Sequence, residues 1–315
     1  MEAPLVSIIV VTYNSSPFVV ETLESAKVQT YKNIELIISD DCSTDDTVAL
    51  CKEWLRENSA HFVRTQLITV SKNTGIAGNL NRGIKASQGQ WIKGLAGDDV
   101  LKDHCIDTYV RYITSNPEVR FVHAAADIYS EQITVDSFLS HSNSGYQPLH
   151  NNNTPADAQF RVLLTHAHLS APTTFIKRDI FEEVGLYDET IPMLEDWPMW
   201  LRITRAGIRL YYLDECTINY RIRSHSLSNH KGAAIMYKSH TFDIFAAYKK
   251  YIRQYLSPFH RMLNDHIVFY TQFSYIYFRN KRNLFTRGFH FLIIKPVYLL
   301  NERLNNRLIL KYDKP

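Results

Sequence analysis

The first hundred residues alternate between short runs that predict strands, the first of them rich in β-branched residues, and segments with helical patterns. The runs cover residues 5–11, 34–39, 67–70 and 90–95. Six of the seven residues in the first run are hydrophobic, as expected of a parallel strand that is buried on both faces. Strands that alternate with helices form βαβ units. The sequence therefore predicts an α/β fold in which helices flank a mostly parallel sheet.

Polar residues follow each of these four runs. They are Thr12-Tyr13-Asn14, Asp40-Asp41, Ser71-Lys72-Asn73 and Asp98-Asp99. The carboxyl ends of parallel strands lie on the same edge of a sheet, which is where ligands bind in open α/β folds. Polar residues also end strands that have no functional role, so any one cluster is a weak signal. Four clusters together favour a single binding site at this edge.

The last of these clusters, Asp98-Asp99, pairs two carboxylates. Two hard oxygen donors suit a divalent cation such as Mg²⁺, because substrate phosphates and water supply its remaining ligands. The chain has neither a GxGxxG sequence after its first strand nor a GxxxxGK[ST] sequence, so other phosphate-binding loops are not supported. Metal dependence is therefore a prediction. The other interpretation is that both aspartates are solvated turn residues or cap the next helix.

Length, cysteine content and apolar segments narrow the class of protein. The 315 residues suffice for one large domain or two smaller ones, and 45% are hydrophobic, as in ordinary globular proteins. The four cysteines show no CxxC spacing, which argues against structural zinc and a disulfide scaffold. The start of the chain lacks the pattern of a signal peptide, and no apolar stretch reaches the roughly 18 residues that span a bilayer. We therefore expect a cytoplasmic protein.

From about residue 234 the chain has a helical, aromatic and basic character. Residues 281–315 hold eight Lys or Arg against two acids, a net charge of +6, whereas the rest of the chain carries about −3. This composition suits helices that lie on the inner, anionic face of a membrane. Packing onto the rest of the chain or onto a partner explains it equally well. We expect no nucleic-acid partner.

Three segments of the second half carry further hypotheses. Glu195-Asp196 opens a predicted helix, where an acid is commonly only a cap. Tyr220-Arg221 and His225 follow a predicted strand at residues 208–213, in a segment dense in groups that bind anions. Residues 130–155 are polar and predict a long surface loop, which is either a functional lid or a flexible insertion.

In their order along the chain, these motifs resemble those of the inverting family 2 glycosyltransferases, which have the GT-A fold with its Rossmann-like sheet. The resemblance covers about residues 5–228. The segments that carry it are residues 6–14, residues 37–45, Asn73-Thr74-Gly75 with Asn81, Gly97-Asp98-Asp99, Glu195-Asp196, and Tyr220-Arg221 with His225. The resemblance implies a GT-A domain at residues 1–228, with a nucleotide-sugar-binding half (1–118) and an acceptor-binding half (119–228). Residues 229–315 would be a helical C-terminal extension.

The resemblance also implies a role for each motif. Asp99, with Asp98, would bind a divalent metal, Mn²⁺ or Mg²⁺, on the nucleotide-sugar diphosphate. Asp196 would be the general base, beside Glu195. Asp41 would contact the uracil ring. The implied donor-binding residues are Thr12, Tyr13, Asn14, Asp41, Asn73, Gly75, Asn81, Asp98, Arg221 and His225.

Two positions depart from the family pattern. Many members have a further acid where this chain has Ala96, so ribose contact from that position is not supported. Glycine is common where this chain has Cys42, which is a small residue.

The implied reaction is a single displacement at the anomeric carbon of a nucleotide sugar, with a UDP-sugar favoured as donor. The acceptor would be a saccharide or a lipid-linked saccharide, as in the assembly of bacterial surface polysaccharides. Two other classes stay open. A sugar-nucleotide pyrophosphorylase needs a glycine-rich loop that residues 14–17 match poorly. A non-catalytic sugar- or lipid-binding protein would bind a donor without turning it over.

Overall fold

The computed structural model describes residues 3–142, 147–165, 169–223, 237 and 240–310. Strands of this described part form one mixed sheet in the order β3-β2-β1-β4-β8-β6-β9-β5, with β7 paired to β6. The strands are β1 (Val6–Thr12), β2 (Ile34–Asp40), β3 (Arg64–Thr69), β4 (Trp91–Ala96), β5 (Val100–Leu101), β6 (Phe121–Ser130), β7 (Phe138–His141), β8 (Phe175–Lys177) and β9 (Tyr211–Ile222).

Helices separate these strands and continue beyond the last of them. The helices are α1 (Val19–Lys27), α2 (Thr47–Asn58), α3 (Gly75–Ala86), α4 (Cys105–Ser115), α5 (Gln147–His150), α6 (Ala156–Leu163), α7 (Arg178–Val184), α8 (Asp196–Arg205), α9 (His240–Ala247), α10 (Pro258–Tyr277), α11 (Leu284–Phe289) and α12 (Lys295–Leu310). Two π-helical turns, Tyr248–Ile252 and His290–Ile294, follow α9 and α11.

The strands β1 to β4 are parallel to one another, whereas β4 is antiparallel to β8, and the carboxyl ends of β1 to β4 are in register. Thr12 lies opposite Asp40, Asp40 lies opposite Thr69, and Val11 lies opposite Ala96. The polar residues that follow these strands therefore share one edge of the sheet, as the sequence predicts. This edge carries the candidate site.

Two hydrophobic cores cover the two faces of the sheet. On one face, side chains of α1, α2 and α4 pack against alternate residues of β1 and β2, such as Ile8 and Leu36. On the other face, Ile9 and Ile37 pack with side chains of α3, α6, α7 and α8. Because β1 and β2 bury both of their faces, their residues form the nearly continuous hydrophobic runs seen in the sequence.

The C-terminal helices join the second of these cores. Phe245 of α9, Tyr248, Ile252 and Val268 of α10 belong to the same buried cluster as Trp200 of α8. The predicted helical character is confirmed, and packing onto the rest of the chain accounts for one face of these helices. The predicted domain boundary at residue 228 lies outside the described residues. No helix in the described part of the chain is both long and apolar enough to cross a membrane.

Two predictions of secondary structure are wrong in part. Residues 130–155, predicted as a loop, contain β7 and α5. The strand predicted at residues 208–213 is β9, which begins at Tyr211 and extends to Ile222. Polar and apolar residues do not alternate strictly in β7 or in β9. The extended conformation of these two strands therefore depends on pairing with β6 rather than on a local pattern.

Candidate active site

The turn after β1 is bonded to the loop after β2. Thr12 Oγ1 donates a hydrogen bond to Asp40 Oδ2 at 2.7 Å, and Thr44 N donates to Asn14 Oδ1 at 2.8 Å. These bonds hold the two loops together at the edge of the sheet. Between them, Tyr13 is 50% exposed. An exposed aromatic ring on a rigid turn offers a flat surface on which a planar ligand group can stack.

The family departure at position 42 occurs where the backbone has an unusual conformation. Cys42 has φ +68°, in the left-handed region. Glycine adopts this conformation without strain, whereas for other residues it costs roughly 1–2 kcal/mol of conformational energy. Glycine would therefore be the least strained residue at this position, and the backbone at Cys42 is strained by this amount.

Asp41 joins the loop after β2 to the start of α3. Its carboxylate accepts hydrogen bonds from Thr74 N at 2.9 Å and Gly75 N at 2.8 Å, and it pairs with Arg82 Nη2 at 2.6 Å. The side chain is buried. Asp41 therefore holds the amino end of α3 against the sheet edge. Its predicted contact with a uracil ring stays a prediction.

Asn73 and Gly75 shape the turn that leads into α3, whereas Asn81 faces another segment. Asn73 is exposed, and its Oδ1 accepts a hydrogen bond from Gly75 N at 3.1 Å. The buried Asn81 amide donates to Tyr187 O at 2.9 Å and to Glu189 Oε1 at 2.8 Å. Asn81 therefore anchors residues 187–189 to α3, which is an indirect role in the site.

Gly75 allows a close contact between α3 and the segment that precedes α8. It has φ +83°, and a Cβ atom there would lie 2.7 Å from Pro192 Cβ. Ile76 N donates a hydrogen bond to Pro192 O at 3.1 Å. This contact connects the loops after β1 and β2 with the chain that carries Glu195 and Asp196.

Gly75→Ala is expected to destabilise the protein more than Gly207→Ala does. Gly207 also has φ +83° but has no atoms within 4 Å of the added Cβ, so it isolates the conformational cost, roughly 1–2 kcal/mol. The overlap with Pro192 should add about 1–3 kcal/mol to the loss in free energy of unfolding. Urea denaturation of both variants measures the difference. Equal losses would show that the Pro192 contact relaxes without cost.

The two aspartates after β4 meet the end of β9. Arg221 N donates a hydrogen bond to Asp99 Oδ1 at 3.0 Å, and Arg221 Nε donates to Asp98 O at 2.8 Å. Arg223 Nε lies 2.8 Å from Asp98 Oδ2. The structure thus brings together Asp98, Asp99 and Arg221, as the sequence predicts. The predicted site residue His225 lies outside the described residues.

Burial perturbs both carboxyl groups of this pair. It raises the pKa of Asp99 to about 8, and the charge of Asp98 acts in the same direction. Burial also raises the pKa of Asp98, against the opposing influence of Arg223 and Arg221. A nearby cation stabilises the ionised form of such groups. The pair therefore fits a hard divalent cation that takes its other ligands from phosphate and water.

A second group of potential metal ligands lies elsewhere on the sheet. In the part of the chain that the structure describes, Asp127, His141 and Cys216 place their ligand atoms within 4.8 Å of one another. Lys102 Nζ lies 2.6 Å from Asp127 Oδ2, much as Arg223 lies beside Asp98. The group belongs to β6, β7 and β9 and includes neither Asp98 nor Asp99.

Glu195 and Asp196 lie at the start of α8, as predicted. The Glu195 side chain makes no capping hydrogen bond, and Asp196 Oδ1 accepts one from Trp197 N at 2.7 Å. Burial raises the pKa of Asp196 to about 6. Burial and the charge of Asp196 raise the pKa of Glu195 to about 8. A carboxylate with a pKa near 6 is ionised at neutral pH and still basic enough to accept a proton in catalysis.

The comparison with protein families decides the class of this chain. The family model described as Glycosyl transferase family 2 matches residues 7–185, which is more than half of the chain. The chain belongs to glycosyltransferase family 2. This membership supports a transferase, and it favours neither a pyrophosphorylase nor a non-catalytic binding protein.

One relative of this glycosyltransferase carries a defined activity in its name. It is the Escherichia coli UDP-Glc:alpha-D-GlcNAc-diphosphoundecaprenol beta-1,3-glucosyltransferase WfaP. The two sequences are 28% identical over 229 residues, which cover 72% of the glycosyltransferase and 81% of the relative.

Two solved structures have the same fold. S. aureus TarS 1-349 in complex with UDP-GlcNAc has a TM-score of 0.57 and 14% identity, over 84% of this glycosyltransferase and 80% of that chain. The match spans 44% of full-length TarS. The mannosyltransferase PcManGT from Pyrobaculum calidifontis, in complex with GDP-Man and Mn²⁺, has a TM-score of 0.55 and 15% identity, over 98% and 73% of the two chains. These similarities confirm the GT-A fold.

The sequence patterns do not identify two cations of the glycosyltransferase site, the partly buried Arg82 and the buried Lys93. Arg82 pairs with Asp41 and lies seven residues after Gly75 on the same face of α3, which is a detectable spacing. Lys93 is fully buried in β4, and its Nζ donates hydrogen bonds to Gly94 O and Pro172 O. Burial lowers the pKa of Lys93, while Asp99 opposes this shift. A lysine inside a hydrophobic strand is itself an unusual sequence feature.

Proposed function

We propose that this glycosyltransferase transfers a sugar, with inversion, from a UDP-sugar to a saccharide or lipid-linked saccharide. One observation carries the proposal: the segment before Asp196 is bonded to the start of α3 through Ile76 N and Pro192 O, at 3.1 Å. The start of α3 is in turn bonded to Asp41 in the loop after β2. These bonds hold the segment that leads to Asp196, whose pKa is raised to about 6, at the start of α3.

The donor lies across the carboxyl edge of the sheet. The Tyr13 ring stacks on the base, and the loops after β1 and β2 hold the nucleoside. The residues that bind or shape the donor site are Thr12, Tyr13, Asn14, Asp41, Asn73, Gly75, Asp98 and Arg221. A UDP-sugar is supported by the UDP-GlcNAc bound to TarS and by the UDP-Glc in the name of WfaP.

Asp99 and Asp98 hold a divalent cation, Mn²⁺ or Mg²⁺. When bound, this cation neutralises the charge that grows on the departing diphosphate. Arg221 reinforces the site, because its backbone N–H orients the Asp99 carboxylate and its guanidinium fixes the Asp98 backbone. The Mn²⁺ in the PcManGT complex supports this assignment.

Asp196 takes the proton from the acceptor hydroxyl. The freed oxygen attacks the anomeric carbon of the donor, the bond from that carbon to the diphosphate oxygen breaks, and the bonding electrons leave with the diphosphate. Attack opposite the leaving group inverts the anomeric configuration. Glu195, with its pKa of about 8, keeps its proton at neutral pH and leaves Asp196 as the ionised member of the pair.

The test is the release of nucleoside diphosphate from UDP, GDP and dTDP sugars, each with Mn²⁺, Mg²⁺ or EDTA. We expect release from a UDP-sugar only when a divalent cation is present. Release from a GDP-sugar alone would contradict the choice of donor. An absence of release, combined with an absence of metal-dependent UDP binding, would contradict the proposal as a whole.

The rate of transfer is expected to fall as the pH drops through about 6. Asp196 acts in its ionised form, and its pKa is raised to about 6 from the usual 3.8, so protonation begins well above the pH at which an exposed aspartate titrates. The measurement is kcat/KM between pH 4.5 and 8, where the acid limb should have a slope of one. If kcat/KM instead falls only near pH 4, Asp196 is not the base.

The acceptor is presented at an anionic membrane face through the C-terminal surface. This surface consists of the exposed apolar residues Leu284, Phe285, Phe291, Leu292, Tyr298 and Leu299 and the exposed cations Lys281, Arg282, Arg287, Lys295 and Arg303. Each cation near an anionic leaflet contributes about 1 kcal/mol of attraction. Combined Arg282→Glu and Arg287→Glu substitutions should lower co-sedimentation with phosphatidylglycerol vesicles roughly tenfold or more. Unchanged partitioning would contradict this membrane role.

A further inference from the structure

An apolar cavity lies between the glycosyltransferase core and the C-terminal helices. Its volume is about 360 Å³, within the range of small-molecule sites. Side chains of α8, α9, α10 and α12 line it, mainly aliphatic and aromatic ones such as Trp197, Ile244, Phe245 and Val268. None of these residues belongs to the donor site described above.

The cavity adjoins the acidic pair of the active site. Leu194 and Trp197, the residues on either side of Glu195 and Asp196, both line it. A ligand in this cavity therefore contacts Trp197, the residue that follows the proposed general base Asp196. No residue of the donor loops after β1 and β2 lines the cavity.

Several polar groups in the cavity wall bond to other protein groups. Trp197 Nε1 donates to Leu163 O at 2.7 Å, and Tyr248 Oη donates to Asp265 Oδ1 at 2.8 Å. The side-chain amide of Asn301 donates to Asn264 Oδ1 at 3.2 Å. These bonds leave mainly carbon surface toward the cavity. Glu302, Asn305 and His240 also line the cavity. Where its wall is carbon, it accepts a hydrocarbon ligand.

The cavity also reaches the C-terminal surface. Tyr298 of α12 lines the cavity and is 49% exposed, and the next residues, Leu299 and Leu300, are exposed as well. Apolar side chains therefore continue from the outer surface of α12 into the cavity. A hydrocarbon chain can follow this path with little exposure to water, which is favourable because burial of apolar area drives such binding.

We propose that this cavity binds the hydrocarbon chain of a lipid-linked acceptor, nearest to its phosphorylated end. The inference rests on the lipid-linked acceptor in the proposed function and adds the site that selects it. The chain enters from the C-terminal surface, and its polar end emerges beside Leu194 and Trp197, where the first sugar meets Asp196. The cavity thereby discriminates a lipid-linked acceptor from a water-soluble saccharide.

The test uses farnesyl phosphate, a 15-carbon prenyl chain with one phosphate, titrated by calorimetry into the full chain below its micellar concentration. Ile244→Trp and, separately, Ile267→Trp fill the cavity from partly buried positions. Each should weaken binding at least tenfold. Val63→Trp is the control, because Val63 is 62% exposed and lies between α2 and β3, outside the cavity. It should bind as the wild type does.

Equal affinities in the wild type and in both cavity variants, or no binding by the wild type, would overturn the proposal. Binding confined to the outer C-terminal surface would give the first of these results. Should both variants fail to fold, a photoreactive farnesyl phosphate on the wild-type chain decides the question. Labelling of residues in the cavity wall, such as Trp197, Ile244 or Val268, supports the cavity, and labelling confined to residues outside the wall contradicts it.

Mn²⁺-dependent UDP binding, measured on the same proteins, keeps this inference separate from the proposed function. If the wild type does not bind UDP, the donor assignment is contradicted, whereas the farnesyl phosphate result still stands. With an active lipid-linked acceptor, the Ile244→Trp variant should raise KM at least tenfold with little change in kcat. Its KM for a water-soluble acceptor should stay at the wild-type value.

Discussion

Asp196→Asn is expected to lower kcat by about 10²- to 10⁴-fold and to leave the affinity for UDP unchanged. The amide cannot accept the proton of the acceptor hydroxyl at neutral pH. It retains the Oδ1 atom that accepts a hydrogen bond from Trp197 N, so the start of α8 should keep its structure. The measurements are single-donor kinetics and UDP titration in the presence of Mn²⁺.

Glu195→Gln provides a matched control for this substitution. Because burial and Asp196 raise the pKa of Glu195 to about 8, its carboxyl group is already neutral at pH 7, and the amide resembles it in charge and shape. We expect less than a tenfold fall in kcat. Equal losses of kcat and of UDP affinity in Asp196→Asn would show instead that Asp196 has a structural role.

Asp99→Asn is expected to abolish the effect of Mn²⁺ on UDP binding. The variant should bind UDP in Mn²⁺ no more tightly than the wild type does in EDTA, and kcat/KM should fall about 10²-fold or more, because metal stabilisation of the leaving group amounts to several kcal/mol. Asparagine preserves the acceptor for Arg221 N at 3.0 Å, which limits structural damage at this buried position. Titration of UDP with and without Mn²⁺ measures the effect directly.

Asp127→Asn is the control for the metal assignment. Asp127 belongs to the other group of potential metal ligands, with His141 and Cys216, and is paired with Lys102. We expect this variant to retain the Mn²⁺ dependence of UDP binding. Retained dependence in Asp99→Asn, together with its loss in Asp127→Asn, would move the metal site to β6 and its neighbours.

The alternation of strands and helices, and the polar residues that follow the strands, are local features of the sequence. They predict the α/β fold because a buried parallel strand needs hydrophobic side chains on both faces. They also predict a shared edge for Thr12, Asp41 and Asp99, because a right-handed βαβ connection returns each strand in the same direction. The order of the glycosyltransferase motifs along the chain then indicates the family.

Contacts between distant segments decided the properties of the individual side chains. Asp41 meets Arg82, and Asn81 meets residues 187–189, only once α3 lies on the sheet. The extended conformation of β7 depends on its pairing with β6. The sequence predicts none of these contacts. A short or polar segment takes its conformation from the segment that it packs against, and its own composition does not indicate which segment that is.

The sequence by itself determined the order of the strands and helices along the chain, the positions of the acidic pairs and the basic, aromatic character of the last helices. Only the tertiary structure decided which carboxyl groups are buried, and hence that the pKa of Asp196 rises to about 6. It also decided that the C-terminal helices pack into the core through one face and enclose a cavity beside α8. The physical reason is that burial depends on which surfaces meet in space, whereas a sequence pattern records only what each segment can present.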